Sequence, residues 1–137
     1  MRNYRPLVTG EILIEYRREV LALLDSFNVR IFVRLMDVSL IDTASTVILQ
    51  QDLKGPYHQR CDTREGGKWI AIPFKLIGKI PNKKAEYAIS VHVDRDGDGV
   101  ASEGDYINME SIPVLTHGHP SYASVKVKRI SPAKVDN

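Results

Sequence analysis

Hydrophobic and polar residues alternate with a period of two along most of the chain. In residues 28–38, Val29, Ile31, Val33 and Leu35 project one way while Arg30, Phe32, Arg34 and Met36 project the other. That is the pattern of a strand with one buried face and one partly wet face. Residues 46–52 are rich in β-branched and aliphatic side chains, which suits a second strand. In 68–76, Trp69, Ala71 and Pro73 alternate with Ile70, Ile72 and Phe74. Pro73 has no N–H to give to a ladder, so an edge strand or a bulge is expected there. Residues 87–93 set Tyr87, Ile89, Val91 and Val93 against Ala88, Ser90 and His92, and residues 122–130 set Val125 and Val127 against Lys126 and Lys128. Strands at this spacing, separated by Gly, Pro, Asp and Asn, predict an all-β fold. The form expected is a single-domain antiparallel β-sandwich, Ig-like, of about 7–8 strands. It is expected to occupy residues 1–130, with a structureless tail at 131–137.

Two stretches break the alternation. Residues 8–16 read as a first strand, but in 17–27 Val20, Leu21, Leu23 and Leu24 also fit one or two helical turns with Asn28 as a cap. A strand that bends is the preferred expectation for this stretch. Residues 54–67 form a polar run of the length associated with functional or mobile loops.

The sharpest chemical signal lies in 94–105, which holds five acids and one Arg in a chain whose overall charge is +2. Closely spaced carboxylates repel one another unless a cation neutralises them. Asp94, Asp96 and Asp98 occupy positions 1, 3 and 5 of a calcium loop, and Gly99 occupies position 6, where the chain must turn sharply. Val100 offers a carbonyl, Ser102 a hydroxyl or a bridging water, and Asp105 closes the loop at position 12. Hard oxygen donors at this density suit Ca²⁺ first and Mg²⁺ second. The flanking segments 89–93 and 106–113 read as extended, so this is an EF-hand-like acidic loop between two strands, without the paired helices of an EF-hand. Asp105 also reaches less far than the usual glutamate, which predicts weaker binding and a narrower preference for Ca²⁺ over Mg²⁺. An ordinary Asp-Gly turn is the alternative.

Composition narrows the field further. A chain of 137 residues fits one domain with a core large enough to fold without staples. The lone Cys61 excludes an internal disulfide framework and a multi-cysteine metal cluster. No apolar run approaches the roughly 18 residues of a membrane-spanning helix. The N-terminal residues carry no apolar core after their basic positions, so no secretory signal is expected within this sequence. The location expected is cytoplasmic if the chain is full length, and the envelope or periplasm if a signal segment was removed.

Other candidate chemistry is weaker. His117 and His119, with His92 or His58, could ligate a metal, but no His-Glu-x-x-His frame is present. Cys61 lies three residues from His58, without a local group to orient a nucleophilic pair. Lys126, Lys128 and Arg129 make a basic stripe, read as a solvated face because only Tyr122 is an aromatic neighbour in sequence. Nucleic acid is therefore not an expected partner. No phosphate loop, serine elbow or dinucleotide fingerprint occurs. No catalytic residues are expected.

Four short blocks come in a recognisable order: Val33-Arg34-Leu35-Met36-Asp37-Val38-Ser39, Ile70-Ala71-Ile72-Pro73-Phe74-Lys75-Leu76, Tyr87-Ala88-Ile89-Ser90-Val91 and Pro113-Val114-Leu115-Thr116. Over roughly residues 8–130 this resembles the YbaY/YscW-type proteins, which include small bacterial lipoproteins and type III secretion pilotins. The resemblance implies a compact β-sandwich, no catalytic residues and an accessory or chaperone-like role at the bacterial envelope. Lipoprotein members begin with a signal peptide ending at a lipid-modified cysteine, whereas Cys61 lies inside the domain. The expectation is a non-enzymatic, calcium-binding module with a protein partner. Its alternative is a pilotin-like protein holding an apolar partner segment in a crack shaped by residues between Val8 and Phe27. A metal-assisted enzyme is third. An exposed edge strand also offers a route to a homodimer.

Overall fold

A computed structural model describes residues 5–40, 43–57, 59–64 and 66–132. It contains nine strands and one helix: β1 (Val8–Glu15), α1 (Arg18–Leu24), β2 (Arg30–Asp37), β3 (Thr46–Leu53), β4 (Arg60–Arg64), β5 (Gly67–Leu76), β6 (Tyr87–Asp94), β7 (Tyr106–Ile107), β8 (Ile112–Val114) and β9 (Tyr122–Arg129). The all-β class is as expected from the alternation. The strand path runs β3-β2-β6-β7-β9-β1-β5-β4, with β8 paired to β6 outside that path. Two-residue β7 bridges β6 and β9, so the strands form one curled sheet whose inner side closes on the core.

One part of the expected form, a wholly antiparallel arrangement, needs correction. Eight strands follow one path with β8 beside it on β6, and β1 runs parallel to β9. Period-two alternation is the same in either direction, so the pattern carried no information about which neighbour a strand would take or how it would run.

The inward rows match the sequence pattern closely. Ile12 lies opposite Ile72 and Val125, and Ile14 opposite Ile70 and Val127. In the other half Ile31 faces Val93, Val33 faces Val91 and Leu35 faces Ile89. All of these side chains are buried. Gly10 sits between Phe74 on β5 and Ala123 on β9, and a Cβ there would lie 2.0 Å from the Ala123 carbonyl oxygen. The first strand can be sandwiched at this point only because the residue has no side chain.

The bent strand expected over 17–27 is instead a break followed by a helix. Alternation stops at Glu15, and α1 then buries Val20 and Leu24 one turn apart against the core, with Leu21 and Leu23 packed beside them. Asp25 occupies the C-cap, so Asn28 does not cap the helix. The expected polar loop at 54–67 also needs correction, because β4 forms within it and pairs with β5. Pro73 fits its expected place. β4 reaches only as far as the Arg60–Ala71 pair, leaving the Pro73 side of β5 as an edge. The tail expected from residue 131 lies outside the described residues beyond Pro132.

Between β7 and β8 the chain leaves the sheet, and Asn108 takes over the ladder. Its side-chain oxygen accepts from the Val91 N–H at 2.8 Å, and its amide nitrogen donates to the Ile89 carbonyl at 3.2 Å. No helix among the described residues is long and apolar enough to cross a membrane.

Candidate functional site

The acidic loop leaves the end of β6 at Asp94, a residue with no exposed surface. Its Oδ1 accepts from the Gly97 N–H at 3.1 Å and its Oδ2 from the Gly99 N–H at 2.6 Å. Asp96 Oδ1 accepts from the Asp98 N–H, and Asp98 Oδ1 from the Val100 N–H. Each carboxylate thus folds the backbone two to five residues ahead of it. Gly99 has φ 82°, the left-handed value the turn requires. The outcome is convergence: ligand atoms of Asp94, Asp96 and Asp98 lie within 4.8 Å of one another. Burial pushes the Asp94 carboxyl above the ordinary range, while a hydrogen bond with Asp94 holds Asp96 below it.

Asp105, expected to close this set, does different work. It is fully buried, with Oδ1 accepting from the Arg95 N–H at 2.9 Å and Oδ2 from the Ser102 N–H at 3.1 Å. His92 Nε2 lies 2.8 Å from the same Oδ2. Asp105 converges with His92 and Asp94, not with Asp96 and Asp98. It therefore ties both ends of the loop to β6. Val100 is exposed and Ser102 half-buried, each donating its backbone N–H to an aspartate. Nothing in the motif pointed to His92 as Asp105's partner. Its place on the outward row of β6, two residues before Asp94, was the one available signal.

Of the remaining candidates, His117 turns Nε2 to the Lys84 carbonyl at 3.0 Å. Neither His117 nor His119 belongs to a metal-competent group among the described residues. Cys61 is exposed on β4, and His58 lies outside the described residues.

A second feature is a groove of about 730 Å³ below the end of α1. Leu24, Phe27 and Val29 wall one side, and Pro56 and Tyr57, after the cis Gly55–Pro56 peptide, wall the other. Asp25, Arg30 and Lys54 add charge to the lining. The Tyr57 hydroxyl is anchored to the Val29 and Leu53 carbonyls at 3.0 and 3.1 Å, so the far wall is fixed to the near one. Arg30 pairs with Asp52 beside it. Phe27, in contrast, is fully exposed. It presents an apolar ring at the edge of the concavity. The apolar residues at 20–24 and the polar run at 54–67 were visible in sequence. Their meeting across a groove was not.

A scan against protein-family models and a search of curated proteins each found no match to this chain. Among solved structures, an alternative pilotin from the type II secretion system of Vibrio cholerae aligns over 91% of this chain and 96% of its own, with a TM-score of 0.57 and 17% identity. At that identity the likeness is one of fold, and it extends over nearly the whole of both chains.

Proposed function

We propose that this protein is a non-enzymatic accessory factor that holds an apolar segment of a partner protein in the groove between the end of α1 and residues 54–57. The observation that carries the proposal is Phe27, fully exposed at a concavity walled by Leu24, Val29, Pro56 and Tyr57. Covering one such ring contributes about 1.5–3 kcal/mol to binding. Charged Asp25, Arg30 and Lys54 would supply a polar rim around that apolar centre. The fold shared with the Vibrio cholerae pilotin supports the same role. An envelope location goes with that role. Panning a random peptide library tests the proposal. Sequences with spaced apolar residues should be enriched on the wild type and lost on Phe27→Ser. Equal enrichment on both proteins would reject the groove.

A second property is supported by the convergence of Asp94, Asp96 and Asp98. We propose that these three carboxylates hold Ca²⁺, with Mg²⁺ a weaker occupant, and that the ion stabilises the loop without taking part in chemistry. A cation would offset the burial that disfavours the charged form of Asp94. Asp105 would act as the loop's anchor and not as a direct ligand. A melt in chelator and then in Ca²⁺ or Mg²⁺ tests this, since an ion bound only by the folded chain raises its midpoint.

A further inference from the structure

The outer face of the β4-β5-β1-β9 half of the sheet is divided in its electrostatics. Near β4, Arg64 meets Glu11 at 2.6 Å and Asp62 at 2.9 Å, while Arg60 meets Asp62 at 2.9 Å and Glu11 at 3.3 Å. Those four charges neutralise one another. On β9, Lys126, Lys128 and Arg129 have no ion-pair partner among the described residues. Two hollows, of about 410 and 570 Å³, meet at Trp69, Lys126 and Lys128 and form a trough across β9. Val20 and Tyr106 line one end, Met109 and Ile112 the other. Lys126 Nζ lies 5.1 Å from the Trp69 ring centre, and the buried Trp69 Nε1–H has no acceptor among the described residues. A buried indole N–H normally finds one.

We propose that this trough is a second binding surface, separate from the groove at Phe27, for an extended segment of a partner protein with acidic residues at its centre and apolar residues on either side. The lysines would meet the carboxylates, a carboxylate or backbone carbonyl would accept from Trp69, and apolar side chains would seat at the two ends. Glu19 at one end and Glu110 at the other select against a nucleic acid strand or a flat anionic membrane. Either would have to lie over both carboxylates, while a short segment sets its charge only between them.

The chain has one tryptophan, so its emission reports on the trough alone. The probe is a nine-residue peptide with three central aspartates flanked by leucines, followed by Trp69 emission and by anisotropy of a label on the peptide. Saturable binding should weaken about tenfold or more in Lys126→Glu/Lys128→Glu and fall with added salt. The double variant Lys75→Glu/Lys79→Glu changes net charge equally at exposed sites outside the trough and should bind as the wild type does. The asparagine version of the peptide should not bind. Absence of binding by wild type at millimolar peptide would overturn the proposal. So would equal loss in both double variants, or Lys126-dependent binding of an oligonucleotide or phosphatidylglycerol vesicles in place of the peptide.

Discussion

Gly10→Ala is a stringent test of how the first strand is held. The new methyl carbon would lie 2.0 Å from the Ala123 carbonyl oxygen and 2.7–2.8 Å from two carbons of the Phe74 ring. Overpacking commonly costs about 1–3 kcal/mol when side chains can move aside. Here the nearest obstacle is backbone, fixed by the parallel β1–β9 ladder, so the upper end of that range applies. Removing the glycine's freedom in the unfolded chain returns about 0.4–1 kcal/mol. A net loss of about 2–3 kcal/mol remains, which at about 3–5 °C per kcal/mol lowers the melting midpoint by roughly 10 °C. Circular dichroism melts of Gly10→Ala and of Gly10→Ala/Phe74→Leu form the assay. The double variant removes the ring and leaves the carbonyl, so relief of the clash in it should be partial at most. A single variant melting within about 2 °C of wild type would refute the close approach of β1 to β9.

Four other outcomes are expected. Asp96→Ala and Asp98→Ala should lower the melting midpoint only in calcium, where at 100 times the dissociation constant the ion adds about 2.7 kcal/mol. Asp105→Ala should destabilise in chelator as well, because it strips an acceptor from the part-buried Arg95 and Ser102 N–H hydrogen bonds and from buried His92, at about 0.5–1.5 kcal/mol for each hydrogen bond lost. Leu24→Ala should cost about 2–5 kcal/mol in denaturant melts by detaching α1 from the core. Hydrogen bonds from Arg64 and then Arg60 hold the Asp62 carboxyl below the ordinary range. Its contribution to stability is present above the ordinary carboxylate pKa and is lost as pH falls through the lowered one. Carboxyl NMR titration should show that lowered midpoint, and Arg64→Gln should raise it more than Arg60→Gln does.

The inward rows of β2, β5, β6 and β9 were legible because alternation records which side of a strand meets the core. The helix was missed because Val20 and Leu24, four residues apart, are compatible with both periods over so short a stretch. The parallel β1–β9 pair was hidden for a different reason: direction leaves no trace in a two-residue repeat. In the acidic loop, spacing foretold that Asp94, Asp96 and Asp98 would converge, since each Asx turn is local to the segment. It assigned Asp105 to the same set, whereas His92 and two backbone N–H groups occupy its oxygens. That competition depends on the adjoining strand. The groove and the trough were illegible because each joins segments far apart in the chain, Leu24 with Tyr57 and Trp69 with Lys126.

Capture of a segment in the groove is the central claim, and site-specific photocrosslinking tests it most directly. A benzophenone amino acid is placed at Phe27, at Tyr57 and, as a control on exposed β4, at Thr63, and each protein is irradiated in cells of its own source. One discrete partner adduct from positions 27 and 57, mapping to a segment with spaced apolar residues and absent from position 63, is the predicted result. No adduct from position 27, or the same adducts from all three positions, would contradict it.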